Sequence, residues 1–199
     1  MVLSGGAGSL DARRLPGRVH WNLVLHVGSL ELQLQAECCT AFTLQVRIVP
    51  SLQGWHAELQ PAEATLPASL LGGLGDPWNS IQLVGTLHLS TEGFQLASQS
   101  RHIAVRGEVT LLAQALRSRL SGVLPLGSYR LVLVGGAVPA LRLDTMEGAL
   151  QLSGIGHWED SQLHMQIQAQ TRGDEHSELD DLLRLMAQFR GKLNVVIPG

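Results

Sequence analysis

Charge, aromatic rings and cysteine are all scarce in this chain of 199 residues. Asp, Glu, Lys and Arg together make up 16%, against about 25% in ordinary soluble domains. A formal net charge of −3 leaves no basic field that would attract nucleic acid. Aromatics at 4% oblige the core to be aliphatic, mostly Leu and Val. The two cysteines are neighbours, Cys38 and Cys39, so no disulfide framework can be built. On a strand they would point to opposite faces. Two small buried or half-buried thiols are the simplest expectation, with a strained vicinal disulfide or an intermolecular bridge as the alternatives.

No segment approaches 18 consecutive apolar residues, so the sequence contains no transmembrane helix of ordinary length. Residues 1–18 lack the basic start and apolar stretch of a signal peptide. Motifs of catalysis are missing as well. There is no G-x-S-x-G elbow, no Walker loop and no G-x-G-x-x-G after a strand, and Gly72-Gly73-Leu74-Gly75 is not followed by Lys-Ser/Thr. The eight histidines (His20, His26, His56, His88, His102, His157, His164 and His176) are scattered singly, and none has the i, i+4 helical spacing of a zinc pair. They read as solvated strand or turn residues. The acidic run Gly173–Asp181 lacks the ligand spacing and central glycine of a calcium loop, and its place before an apolar helical stripe gives the carboxylates a role against the helix dipole. No catalytic, cofactor-binding or metal-binding residue is therefore assigned, no cofactor is expected, and the chain does not read as an enzyme.

What the chain does have is period two. Leu163, Met165, Ile167 and Ala169 alternate with His164, Gln166, Gln168 and Gln170, the pattern of a strand with one buried and one wet face. The same alternation predicts strands over Arg18–Val27 (Val19, Trp21, Leu23 and Leu25 on one face), Leu30–Glu37, Ala41–Val49 and Gly54–Gln60. Turn residues separate these segments at the spacing of an antiparallel meander. Further strands are predicted over Ser80–Leu89, Phe94–Ser98, His102–Leu112, Ser128–Val134, Ala140–Leu143, Gly148–Gly154, Gln162–Thr171 and Leu193–Ile197. Ala113–Ser121 reads equally as a helix or an irregular strand edge. Thr65–Gly73, with a possible Thr cap, an early Pro and closing glycines, predicts a short helix near 66–72. Glu178–Arg190 predicts a C-terminal α-helix, with Leu179, Leu182, Leu183, Met186 and Phe189 on one face and Gly191 at its end. Gly54-Trp55-His56 and Gly156-His157-Trp158 echo each other as strand openers and favour repeated strand units over a Greek key. The fold class is thus mainly β: an extended or curved antiparallel sheet of about ten to thirteen strands, as a meander or partly closed. Residues 1–17 form an N-terminal arm and residues 18–199 one β-rich domain. The four tryptophans (Trp21, Trp55, Trp78 and Trp158) could stack on sugar rings, but burial at strand starts is the more economical expectation.

Four pieces of the sequence resemble one family. Arg18-Val19-His20-Trp21 is similar to a strand with a tryptophan after a valine. Arg117–Leu133, RSRLSGVLPLGSYRLVL, resembles an S-x-L-S-x-V-x-P-L-G-x-Y-R segment, and Leu143–Trp158, LDTMEGALQLSGIGHW, a T-x-x-G-x-L-x-L-x-G-x-G-x-W segment. Leu179–Gly191 with a short strand after it is similar to a closing helix and tail. Together they resemble the type II secretion system protein N family, the N subunit of the general secretion pathway, over roughly residues 18–199. The resemblance implies the periplasmic domain of an inner-membrane-anchored protein whose anchor lies outside this chain. It also implies a non-enzymatic accessory role in exoprotein transport, beside the inner-membrane platform and the outer-membrane secretin as partners. The alternative is a periplasmic lipid or lipoprotein carrier with an apolar β groove, since charge is low, the strand pattern also loosely resembles AsmA-type periplasmic proteins, and only one good helix is available to cover the many apolar strand faces. Oligomeric state is not readable from the sequence.

Overall fold

The computed structural model describes residues 2–3, 13–14, 19–37, 40, 43–74, 78–99, 102–118, 121–122, 125–159, 162–171 and 193–196. Strands β1 (Val2–Leu3) and β2 (Arg13–Arg14) pair antiparallel and lie against a 3-10 helix at Ala68–Leu74. Twelve further strands form one sheet. They are β3 (Val19–His26), β4 (Ser29–Ala36), β5 (Leu44–Ser51), β6 (Gly54–Leu59), β7 (Ala62–Pro67), β8 (Leu83–Gln99), β9 (His102–Ser118), β10 (Gly127–Gly136), β11 (Ala140–Glu147), β12 (Leu150–Glu159), β13 (Gln162–Thr171) and β14 (Leu193–Val196).

Each strand from β3 to β13 pairs antiparallel with its neighbour, and β14 adds to β13 in parallel. Among the described residues the sheet is open, with β3 and β14 as its two ends. It is a meander, as the turn spacing predicts, because short connections between consecutive strands favour hairpins. Strands β6 and β7 lie end to end along the same side of β8. They keep one register on either side of the break, Gly54 opposite Gln99 to Leu59 opposite Phe94 and Ala62 opposite Thr91 to Pro67 opposite Thr86. Pro61, which has no N–H to donate, falls in the gap between them.

The long strands β8 and β9 bend through bulges. Glu92 and Gly93 together oppose Glu108. The Thr91 hydroxyl holds this kink, donating 2.6 Å to the Glu108 carbonyl and accepting from the Gly93 N–H at 3.2 Å. A second bulge sits at Ala115, whose φ of 48° places it in the left-handed region. There the Ala115 N–H, diverted from the ladder, donates to Ser128 Oγ at 3.1 Å.

Several expectations change. The stretch Thr65–Gly73 is not a single helical unit. Thr65, Leu66 and Pro67 complete β7, because β8 offers them a ladder, and the Thr65 hydroxyl sits 3.0 Å from His88 Nδ1. The winding starts at Ala68 and is 3-10. Ser80 belongs to the one-turn helix α1 (Trp78–Ile81), not to a strand; Gln82 at φ 51° ends the turn, and Ser118 Oγ donates 2.6 Å to the Ile81 carbonyl. Phe94–Ser98 is the second half of β8, and the ambiguous residues after Leu112 continue β9 to Ser118. Gly148 and Ala149 are a turn, so β12 begins at Leu150. The glycine-tryptophan echo does not survive: Trp55 opens β6, whereas Gly156 and His157 lie in the second half of β12. The expected helix Glu178–Arg190 lies outside the described residues, as do Cys38, Cys39 and the acidic run.

The core gathers Ala68, Ile81, Leu83, Leu87, Leu116, Leu126, Tyr129, Leu150 and Ala169, with Leu66, Leu111, Leu143 and Leu152 packed against it. Along β13, His164, Gln166, Gln168 and Gln170 are exposed while Met165, Ile167 and Ala169 are buried, as the alternation predicts.

Candidate docking face

The opposite end of the sheet is built differently. On β3 to β6, residues Trp21, Leu23 and Leu25 share a face with Leu30, Leu32 and Leu34, then with Leu44, Val46 and Ile48, then with Trp55, Ala57 and Leu59. Phe94 and Leu96 of β8 continue it. None of these side chains carries a charge. The inner members are half-buried against one another, but at the margin Trp21 is 69% exposed, Leu23 47% and Leu25 80%. Val27, in the β3–β4 turn, is fully exposed. Trp21 and Trp55 were expected to be buried at strand starts. They are instead exposed, because no described element lies over this flank. Covering such side chains is worth roughly 1.5–3 kcal/mol each when complete, and contiguous bare apolar area of this kind marks an interaction surface.

The reverse face of the same strands is polar and interlaced. Across it run Glu31, Arg47, Glu58, Gln95 and Arg106, each opposite the next. Gln33 Nε2 donates 2.8 Å to Glu31, Asn22 Nδ2 donates to Gln33 at 3.5 Å, and Gln95 Nε2 donates to Glu58 at 3.5 Å. The Gln33 amide, with help from the nearby His26 and Arg47, holds the Glu31 carboxyl below its usual range against the opposing effect of desolvation. Opposite charges on facing strands support the ladder modestly.

Among the described residues strand β3 also ends the sheet, and the direction of its backbone groups follows from one bond. In an antiparallel ladder a residue aims its N–H and C=O at the same neighbour, and successive residues alternate. The Gln60 N–H donates to the Gln45 carbonyl at 3.1 Å, so Gln45 and Arg47 face β6 while Leu44, Val46 and Ile48 face β4. Leu30, Leu32 and Leu34 answer these, leaving Glu31 and Gln33 to bond to Val24 and Asn22. Trp21, Leu23 and Leu25 therefore aim their backbone groups away from the sheet. Among the described residues, those whose edge groups meet no neighbouring strand are the ones with exposed apolar side chains.

The histidines are dispersed. His20 and His26 contact Glu37 and Glu31 at 3.3 and 3.5 Å, and His157 stacks on His164 across β12 and β13 with ring centroids 5.9 Å apart. Among the described residues no three His, Cys, Asp or Glu side chains are grouped to hold a metal ion. A cavity of about 810 Å³ lies over the Gly93 bulge, lined by Glu63, Ser90, Thr91, Glu92, Glu108 and Thr110 among others. Its rim of carboxylates and hydroxyls does not suit an acyl chain. Among the described residues no helix is long and apolar enough to cross a membrane. The sequence placed Trp21, Leu23 and Leu25 on one face but carried no sign that β3 is an edge; that depends on which strands find partners.

Fold and flank define a class: among the described residues, a wide, open and mainly antiparallel β-meander with one apolar end left bare. The model of the family described as type II secretion system (T2SS), protein N matches residues 3–194, and the chain belongs to that family. It is accordingly an accessory, envelope-associated component of type II secretion, a protein-transport system, in a family not known for enzymes. Comparison with curated proteins finds no match, and comparison with solved structures finds none either.

Proposed function

We propose that this protein is a non-enzymatic accessory subunit that helps exoproteins cross the envelope by protein–protein contacts made in the periplasm. Its β body, residues 18–199 as one domain with 1–17 as an arm, belongs to a protein anchored in the inner membrane. Its partners are the inner-membrane platform and the secretin. The observation that carries this reading is the bare apolar flank of β3–β6 beside a free strand edge, in a member of the protein N family. Strand edges and apolar patches are what transport subunits can offer one another without chemistry. The test is deletion of the gene with an assay of exoprotein release, joined to recovery of platform and secretin subunits with the tagged full-length protein. Blocked release together with specific recovery of either subunit is expected. Normal release and no recovered subunit would overturn the reading.

The lipid carrier is the second reading, and the uncharged face of β3–β6 favours it. It predicts phospholipid bound to the purified full-length protein at near-stoichiometric amounts by mass spectrometry.

A further inference from the structure

We propose that the outer edge of β3 receives one extended strand of another type II secretion subunit, a segment with uncharged apolar residues at every second position. The proposal rests on the reading that the protein works through contacts with other secretion subunits, and it names the place and chemistry of the contact.

The occupant follows from what the edge presents. Trp21, Leu23 and Leu25 direct N–H and C=O groups outward in the sheet plane while their side chains stand exposed on the apolar face. An acyl chain could cover the side chains but has nothing to bond the backbone groups. A helix could cover the side chains too, but its own backbone groups are already paired. A strand bonds the backbone groups and flanks the side chains along the same edge. Its backbone continues the ladder, and its alternate side chains stand beside Trp21, Leu23 and Leu25 at a cross-strand spacing of about 4.5–5.5 Å. Those alternate residues must be apolar, because the described residues offer no charged partner on that face.

The edge also lacks the devices by which proteins discourage strand addition. Val19–His26 contains no Pro, Lys, Arg, Asp or Glu, and its register with β4 runs without a bulge from Val19 opposite Ala36 to His26 opposite Ser29. By contrast β7 carries Glu63 and Pro67, with Pro61 just before it. A second copy of the chain is a poorer occupant. Two β3 strands paired antiparallel about a two-fold axis would set the two bare faces side by side and double the uncovered area.

The test uses the full-length protein in cells carrying the complete secretion machinery. A benzophenone amino acid replaces Trp21, Leu23 or Leu25 one at a time, with Arg47 on the polar face as the control position, and linked residues are mapped by mass spectrometry. Adducts with one secretion subunit are expected from 21, 23 and 25, with linked residues moving along the partner in steps of two. Leu23→Pro removes an outward N–H that β4 does not use, and should cut adduct yield from 21 and 25 at least tenfold. The circular-dichroism melt of that variant reports folding. Adducts with phospholipid, with a second copy, or with partner residues spaced at three to four would overturn the proposal. So would undiminished yield in Leu23→Pro. If deletion of the gene blocks secretion but the three positions give no adduct, the edge proposal alone falls. If secretion is also normal without the gene, the functional reading falls with it.

Discussion

The Tyr129 hydroxyl donates a 3.0 Å hydrogen bond to the backbone carbonyl of Leu150, both residues buried. The bond joins the PLGSYR and EGALQL segments, 21 residues apart in sequence. Around it the Leu150 N–H donates to the Leu126 carbonyl at 2.9 Å and the Leu126 N–H to the Leu116 carbonyl at 2.8 Å. Two segments that carry the family resemblance are thus one packed unit in the core. Burial pushes the phenol far above its usual range, so at neutral pH it keeps the proton it donates.

Tyr129→Phe keeps the ring and strands the Leu150 carbonyl. A buried acceptor left unsatisfied costs about 1–3 kcal/mol. For a chain of this size that lowers Tm by about 2–4 °C per kcal/mol, readable by calorimetry. A loss below about 0.5 kcal/mol would mean that water reaches the carbonyl.

Gly148 and Gly28 both hold positive φ, at 126° and 84°, but with different surroundings. A Cβ at Gly148 would run into the Gly127 Cα and the Leu126 carbonyl, while at Gly28 nothing lies within 4 Å. Gly148→Ala should destabilise by more than about 2 kcal/mol, since backbone must move in the core. Gly28→Ala should cost about 1–2 kcal/mol of backbone strain alone. Urea midpoints compare the two directly, and an equal loss would argue against close packing at Gly148.

Glu31 is held below its usual pKa of 4.5, first by the Gln33 amide and then by the charges of His26 and Arg47. A carboxylate whose folded pKa is depressed contributes stability above its unfolded pKa and loses it as pH falls through the folded one. Wild type should therefore exceed Glu31→Gln in stability at pH 7, and the gap should close as pH drops below about 4.5. Chemical melts from pH 7 to pH 3 test this. A gap that is constant with pH would place the effect of the substitution elsewhere.

Leu25→Gln replaces a side chain that touches little in the isolated chain. Its stability should stay within about 0.5 kcal/mol of wild type. Fluorescence of a dye that binds apolar surface should fall, because the bare flank loses one of its most exposed members. Destabilisation well beyond that range would show that Leu25 is packed after all.

How much of this was legible beforehand depends on range. The alternation at Gln162–Thr171 fixes a strand with one wet face because side chains on neighbouring residues must point oppositely. Every long predicted strand among the described residues is found, with ends moved by a few positions. Two kinds of feature were hidden. The end of β7, Thr65–Pro67, reads as the start of a helix, since Thr, Pro and glycines near it are ambiguous until β8 is there to pair with Ala62–Pro67. The bulges at Gly93 and Ala115 merge predicted pieces into two 17-residue strands, and only the registers with their neighbours reveal them.

The candidate site divides the same way. By itself the sequence determined a mainly β chain, apolar positions at Trp21, Leu23 and Leu25, and the segments that carry the family resemblance. These are local facts, set by side-chain period and residue type. The tertiary structure decided that Tyr129 meets Leu150 and, among the described residues, that β3 ends the sheet and the flank beside it is left uncovered. Those outcomes turn on which strands find partners and which do not, a competition among distant segments that no local pattern encodes.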